Sequence, residues 1–186
     1  LEIADVAGPS VALASLNGGG SIVLGNKTLN LLDNSGSFGN TYSGAITGSG
    51  GLTLSGGATL LTGQNTYTGG TDVQAGLLEV DGSVAGPVSV RSGAVLAGQG
   101  SVGQTTVYSG AILLPGSTTA AGMLSVTGNL KMEAGSMLLA NSVSSTQEMV
   151  HVMGNANLLG GTVQILGSQR LQYGEEYKVL TAANGV

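Results

Sequence analysis

Few side chains in this sequence could do chemistry, and their spacing decides what kind. Asp72, Glu79 and Asp81 lie close together, and Arg91 is the first basic residue after them. Two carboxylates on one flank could act as acid and base on a glycosidic bond. The candidate pairs are Glu79 with Asp81 and Glu175 with Glu176. Strand alternation sends Glu79 and Asp81 to the same outward side, which reads as solvated surface charge. The one histidine, His151, stands between Val150 and Val152 and by the same rule points outward. A serine hydrolase needs a base and an orienting acid behind the nucleophile. With a single imidazole and no Gly-x-Ser-x-Gly phrase, no catalytic residue is assigned and no enzyme is expected.

Gly98-Gln99-Gly100-Ser101-Val102-Gly103 fits the spacing of a dinucleotide loop. That loop must open a helix and be followed by an acidic residue. Residues 82–130 carry Arg91 as their only charge and show no helical pattern, so the phrase reads as a corner of the chain. Without cysteine, and with one histidine, thiolate and multi-imidazole metal sites are excluded. Aspartate at 5, 33, 72 and 81 is too sparse for a solenoid that binds calcium in every repeat. No cofactor, no metal and no small-molecule substrate are expected.

Composition narrows the class. Ten acidic against five basic residues give a net charge of −5, which disfavours a phosphate-binding surface, so no nucleic acid partner is expected. Of 186 residues 34 are glycine, 8% are charged and 3% are aromatic. The 41% that are hydrophobic suffice for an aliphatic core, and the surface must then be Ser, Thr, Asn, Gln and Gly. No apolar run approaches the roughly 20 residues of a membrane-spanning helix. The opening LEIADVAGPS lacks the basic and apolar regions of a signal peptide, so the chain is read as a mature piece or a fragment.

The elements that carry these residues come from a repeat. Glycines at 57, 76, 93, 110, 135 and 161 are spaced by 19, 17, 17, 25 and 26 residues. Three before each stand Leu54, Val73, Val90, Val107, Met132 and Leu158. Two after stand Thr59, Leu78, Val95, Ile112, Met137 and Val163, and four after stand Leu61, Val80, Ala97, Leu114, Leu139 and Ile165. Alternation at period two on both arms predicts two short strands joined at a glycine corner, with a third, more variable segment. One such repeat cannot offset its own ordering entropy, whereas a stack can. These residues form the expected apolar ladder, and a charge at Ile112 or Met137 is expected to break it.

The predicted fold is all-β: a right-handed parallel β-helix of about nine coils, roughly 40 Å long at about 4.8 Å per rung. An antiparallel sandwich would leave the columns unexplained, and so many glycines argue against helices. One column conflicts with alternation. Leu60, Leu96, Leu113 and Leu138, three after the glycine, should face outward. Either the corner turns them inward or they form an exposed stripe. At the end, Tyr173, Tyr177 and Val179 break the column pattern, and residues 171–186 are read as a capping hairpin over the exposed strand edges.

Residues 48–82, GSGGLTLSGGATLLTGQNTYTGGTDVQAGLLEVDG, resemble the passenger-associated transport repeat of bacterial autotransporters. Asn65, Thr66, Tyr67, Gly69, Gly70 and Thr71 occupy its most characteristic part. Residues 83–186 resemble the autochaperone that ends such passengers, through VYSGAILLPGSTTAAGMLSVTGNL, the Val-x-Gly-x-x-x-Leu-x-Gly-Gly phrase at 152–161 and YGEEYKVLTAANGV. The resemblance divides one continuous solenoid into a stem over 1–82 and an autochaperone-like region over 83–186. It implies a passenger exported across the outer membrane of a Gram-negative bacterium to the cell surface, its C-terminal coils folding first and templating the rest. The implied partner is the passenger's own translocator β-barrel, which is absent from this chain. The alternative is an adhesin or self-association module that meets a host cell or another copy, through a polar Asn/Thr flank or the Leu column. A glycan-acting β-helix enzyme is a further alternative, and a pocket grouping Asp72, Glu79, Asp81 and Arg91 would favour it.

Overall fold

Short alternating strands that end at glycine cannot each bury a core, so they stack. The computed structural model describes residues 1–32, 38–117, 120–140, 149–165, 174 and 178–186. Among these there is no helix, and every pairing between strands is parallel. Three long sheets run along the stack as its faces, giving a parallel β-helix.

The first sheet has eight strands: Ser10–Leu13, Thr28–Leu31, Leu52–Leu54, Thr71–Val73, Val88–Val90, Thr105–Val107, Leu130–Met132 and Ala156–Leu158. The second has seven: Phe38–Tyr42, Ala58–Leu61, Leu77–Val80, Val95–Gly98, Ile112–Pro115, Met137–Ala140 and Thr162–Ile165. The third has six: Gln64–Asn65, Ser83–Val84, Ser101–Val102, Leu124–Val126, Val150–Val152 and Leu180–Ala182. A separate two-stranded sheet joins Ile22–Val23 to Ile46–Thr47 near the start.

On the first sheet the register places Leu31, Leu54, Val73, Val90, Val107, Met132 and Leu158 in one column. From Leu31 to Met132 this column is buried, and Leu158 on the last rung is exposed. The third sheet contributes an inward column of its own: Asn65, Val84, Val102, Val126, Val152 and Ala182.

The second sheet differs from the expected ladder. Leu78 pairs with Leu96 rather than Val95, and Val95 pairs with Leu77. From there Leu96, Leu113, Leu138 and Val163 continue the inward column, while Val95, Ile112 and Met137 stack on the outer side. Leu96, Leu113 and Leu138 are buried in the main core. The corner reading therefore holds for those three leucines and fails for Leu60, which faces out from its rung. The physical cause is one inserted residue. At Arg91–Ala94, Tyr108–Ala111 and Glu133–Ser136 a turn closes by a hydrogen bond from the fourth residue's N–H to the first residue's carbonyl, at 2.9, 2.9 and 3.0 Å. Gly93, Gly110 and Gly135 supply the positive φ these turns need (79°, 77° and 81°). The next residue, Ala94, Ala111 or Ser136, then points into the core. After Gly76 no such residue intervenes. A shift of one residue exchanges the two faces of a strand.

The ladder residues on that arm are corrected accordingly. Val95, Ile112, Leu114 and Leu139 belong to a second, smaller apolar cluster on the outer side, with Leu77, Ala97 and Ala58. Val163 and Ile165 keep inward columns on the last described rung of their sheet and are exposed. The expected capping hairpin is corrected too. Leu180–Ala182 adds a further parallel rung to the third sheet, with Val150 opposite Leu180 and Val152 opposite Ala182. Val179 packs against the core just before it, whereas Tyr173 and Tyr177 lie outside the described residues. No helix among the described residues is long and apolar enough to cross a membrane.

Candidate functional site

The residues of the Asn-Thr-Tyr phrase, Asn65 to Thr71, sit where the third sheet begins. Below them Ile46–Thr47 pairs only with Ile22–Val23, so the backbone ladder is interrupted between that pair and Gln64–Asn65. Asn65 bridges the break. Its Oδ1 accepts the N–H of Ile46 at 3.0 Å, and its Nδ2 donates to the carbonyls of Gly63 and Ser83 at 3.1 and 3.0 Å. The side chain is fully buried, and these three bonds satisfy it.

Two residues on, the chain turns Tyr67 into the core, where it is the largest fully buried side chain among the described residues. Its hydroxyl meets the Thr71 hydroxyl at 2.5 Å. Burial pushes the phenol far up from its ordinary range, outweighing the opposing hydrogen bond from Thr71, so it stays protonated. Thr66 faces out and donates its backbone N–H to the Ile46 carbonyl at 2.9 Å. Gly69 is required by contact, because a Cβ there would strike the Gly50 carbonyl oxygen. Gly70 is different: it is exposed, and a Cβ there would meet only the Pro87 carbonyl oxygen at 3.8 Å. The motif thus builds a buried, hydrogen-bonded corner.

Beside that corner a shallow trench of about 450 Å³ runs along the first sheet from Asn26 to Arg91. It contains Asp72 and Arg91 but not Glu79. Arg91 Nε meets Asp72 Oδ1 at 2.6 Å, both side chains being well exposed, and Gln74 Nε2 donates to Asp72 Oδ2 at 3.2 Å. The guanidinium lies 4.6 Å from the centre of the Tyr108 ring. Glu79 faces a separate depression on the second sheet with Thr59, Leu60 and Leu77. Burial raises its pKa, and repulsion from Asp81 raises it further. Asp81 accepts the backbone N–H of Gln99 at 3.2 Å. The structure therefore brings Asp72 to Arg91 and leaves Glu79 apart from them. Glu175 and Glu176 lie outside the described residues.

The remaining candidates resolve into structure. His151 stands outward between Ser125 and Thr181, its Nδ1 3.2 Å from the Thr181 hydroxyl. At Gly98, Gly100 and Gly103 a Cβ would strike the backbone of Val80, Gly82 and Gly86 in turn, so rung-on-rung contact accounts for all three glycines. A strand, Ser101–Val102, follows where a nucleotide loop would start a helix. Among the described residues no group of three His, Cys, Asp or Glu could hold a metal.

Two features escaped the sequence reading. One is the third-sheet column, signalled by valines two or one before a glycine at Val84, Val102, Val126 and Val152. The other is a pair of glycine stacks: Gly44, Gly63, Gly82 and Gly100, and Gly50, Gly69, Gly86 and Gly103. In each stack a Cβ on an upper member would strike the backbone of the member below. Compared with known proteins, the chain matches no family model and has no significant match among curated proteins.

Proposed function

We propose that this chain is the structural C-terminal stem of an autotransporter passenger, reaching the surface of a Gram-negative cell through its own translocator barrel. Its work is its folding. The coils of the C-terminal region, residues 83–186, assemble first, and each completed coil offers the next a row of unpaired N–H and C=O groups with an apolar column beside it. The observation that supports this reading is the uninterrupted in-register stack of all three sheets over those coils, joined to the resemblance of residues 48–82. Binding or catalysis is no part of this role.

The test fuses the chain ahead of an outer-membrane translocator barrel and scores display on the cell. Leu113→Asp places a charge in the core and should abolish display, while Ile112→Asp, one residue away on the outer side, should leave most of it. Graded proteolysis of the chain should leave a fragment covering 90–186 as the last survivor. Normal display of Leu113→Asp, or a surviving fragment covering 1–82 instead, would defeat the reading.

A further inference from the structure

We propose that the trench beside the first sheet binds a linear, neutral saccharide. Its floor is made by residues without side chains, Gly51 and Gly70, one rung apart at about 4.8 Å. The N–H groups of both meet no acceptor among the described residues. One wall is a row of outward side chains on consecutive rungs, Thr53, Asp72 and Ser89, held in register by the ladder. Asn26 also lines the trench. Donors and acceptors therefore recur along the axis at the rung spacing. A hexose unit is about as long as a rung is tall, so successive sugars of an extended chain meet similar groups.

Charge selects the class. Asp72 is matched by Arg91 at one end of the trench, so the site is locally neutral. A net charge of −5 on the whole chain opposes a polyanion. An added peptide strand is also disfavoured: Leu52 N–H already takes the Gly70 carbonyl, and Gly69 N–H takes that of Gly50. The proposal does not depend on the export role, and either can fail without the other.

The experiment titrates cellotetraose and laminaritetraose into the isotopically labelled chain and follows the backbone amides. Shifts should be confined to residues around Gly51, Gly70 and Ser89 for at least one of the two. Gly70→Leu fills the floor, and the open space above Gly70 lets the stack keep its melting profile. Its affinity should fall roughly tenfold or more, as expected when a hydrogen-bonding surface is covered. Arg91→Ala should weaken binding less. The proposal is overturned by no shifts at millimolar saccharide, by shifts scattered over the other faces, by stronger binding of a sulfated tetrasaccharide, or by unchanged binding in a folded Gly70→Leu.

Discussion

Two stretches of the same inward column solve one problem differently. At the base of the third sheet the column holds Asn65, and the same coil buries Tyr67 and Thr71. On the rungs above it holds Val84, Val102, Val126 and Val152. Where each strand finds a backbone partner above and below, aliphatic side chains suffice. Where the ladder is interrupted between Ile46–Thr47 and Gln64–Asn65, a buried amide stands in for the missing carbonyl and ties three segments together. A polar interior here marks a seam between two sheets, and that is a more economical account of the Asn-Thr-Tyr phrase than a ligand site.

The comparison can be broken most forcefully by making the seam look like the rungs above it. Asn65→Val matches the rest of the column but orphans the Ile46 N–H and takes a donor from the carbonyls of Gly63 and Ser83, the first of which keeps the Ser83 N–H. It should cost about 3 kcal/mol, read as a lower urea midpoint. Amide exchange should speed up first around Ile46, and a loss spread evenly over the chain would mean that the seam is not local. A smaller effect of opposite sign is expected at Thr59. Its buried hydroxyl has no hydrogen-bond partner among the described residues, and it stands in the column that continues as Leu78 and Leu96. Thr59→Val should raise stability by about 1 kcal/mol, and a loss instead would reveal a partner for that hydroxyl.

The smallest effect is electrostatic and lies on the outer side. Glu79 is held above its ordinary pKa, first by burial and then by Asp81. Its folded form therefore takes up a proton more readily than the unfolded chain does. The ionised group disfavours folding at neutral pH, and that penalty fades as pH falls through the raised value towards the ordinary carboxylate range. Glu79→Gln should melt slightly higher than the native chain at pH 7, and the two should converge in acid. A gap that widens on acidification would reverse the assignment.

Much of this architecture was legible in the residues. The alternation around Val73, Val90 and Val107 predicted parallel rungs, and the first-sheet column follows the register residue by residue. The second sheet was misread at Val95, Ile112 and Met137 because the glycine spacing does not reveal an extra inward residue. Ala94, Ala111 and Ser136 are small, and a small buried residue carries no hydropathy signal. The clash of Leu96, Leu113 and Leu138 with simple alternation was the trace it left. Two of the three partners of Asn65, Ile46 and Ser83, could not be read, because they come from the coils on either side. The trench was invisible for another reason: it is made by missing side chains at Gly51 and Gly70.

The corner between the second and third sheets is built in two ways. Asp81–Gly82 and Gln99–Gly100 turn it tightly in the lower coils, while higher up more chain separates Pro115 from Leu124 and Ala140 from Val150. Yet Ser125 still pairs with Ser101, and His151 with Ser125. Extra chain at this edge leaves the frame undisturbed. The molecule is in that sense a mast with a rail for fittings: new peptide can be spliced in along it without redesigning anything beneath.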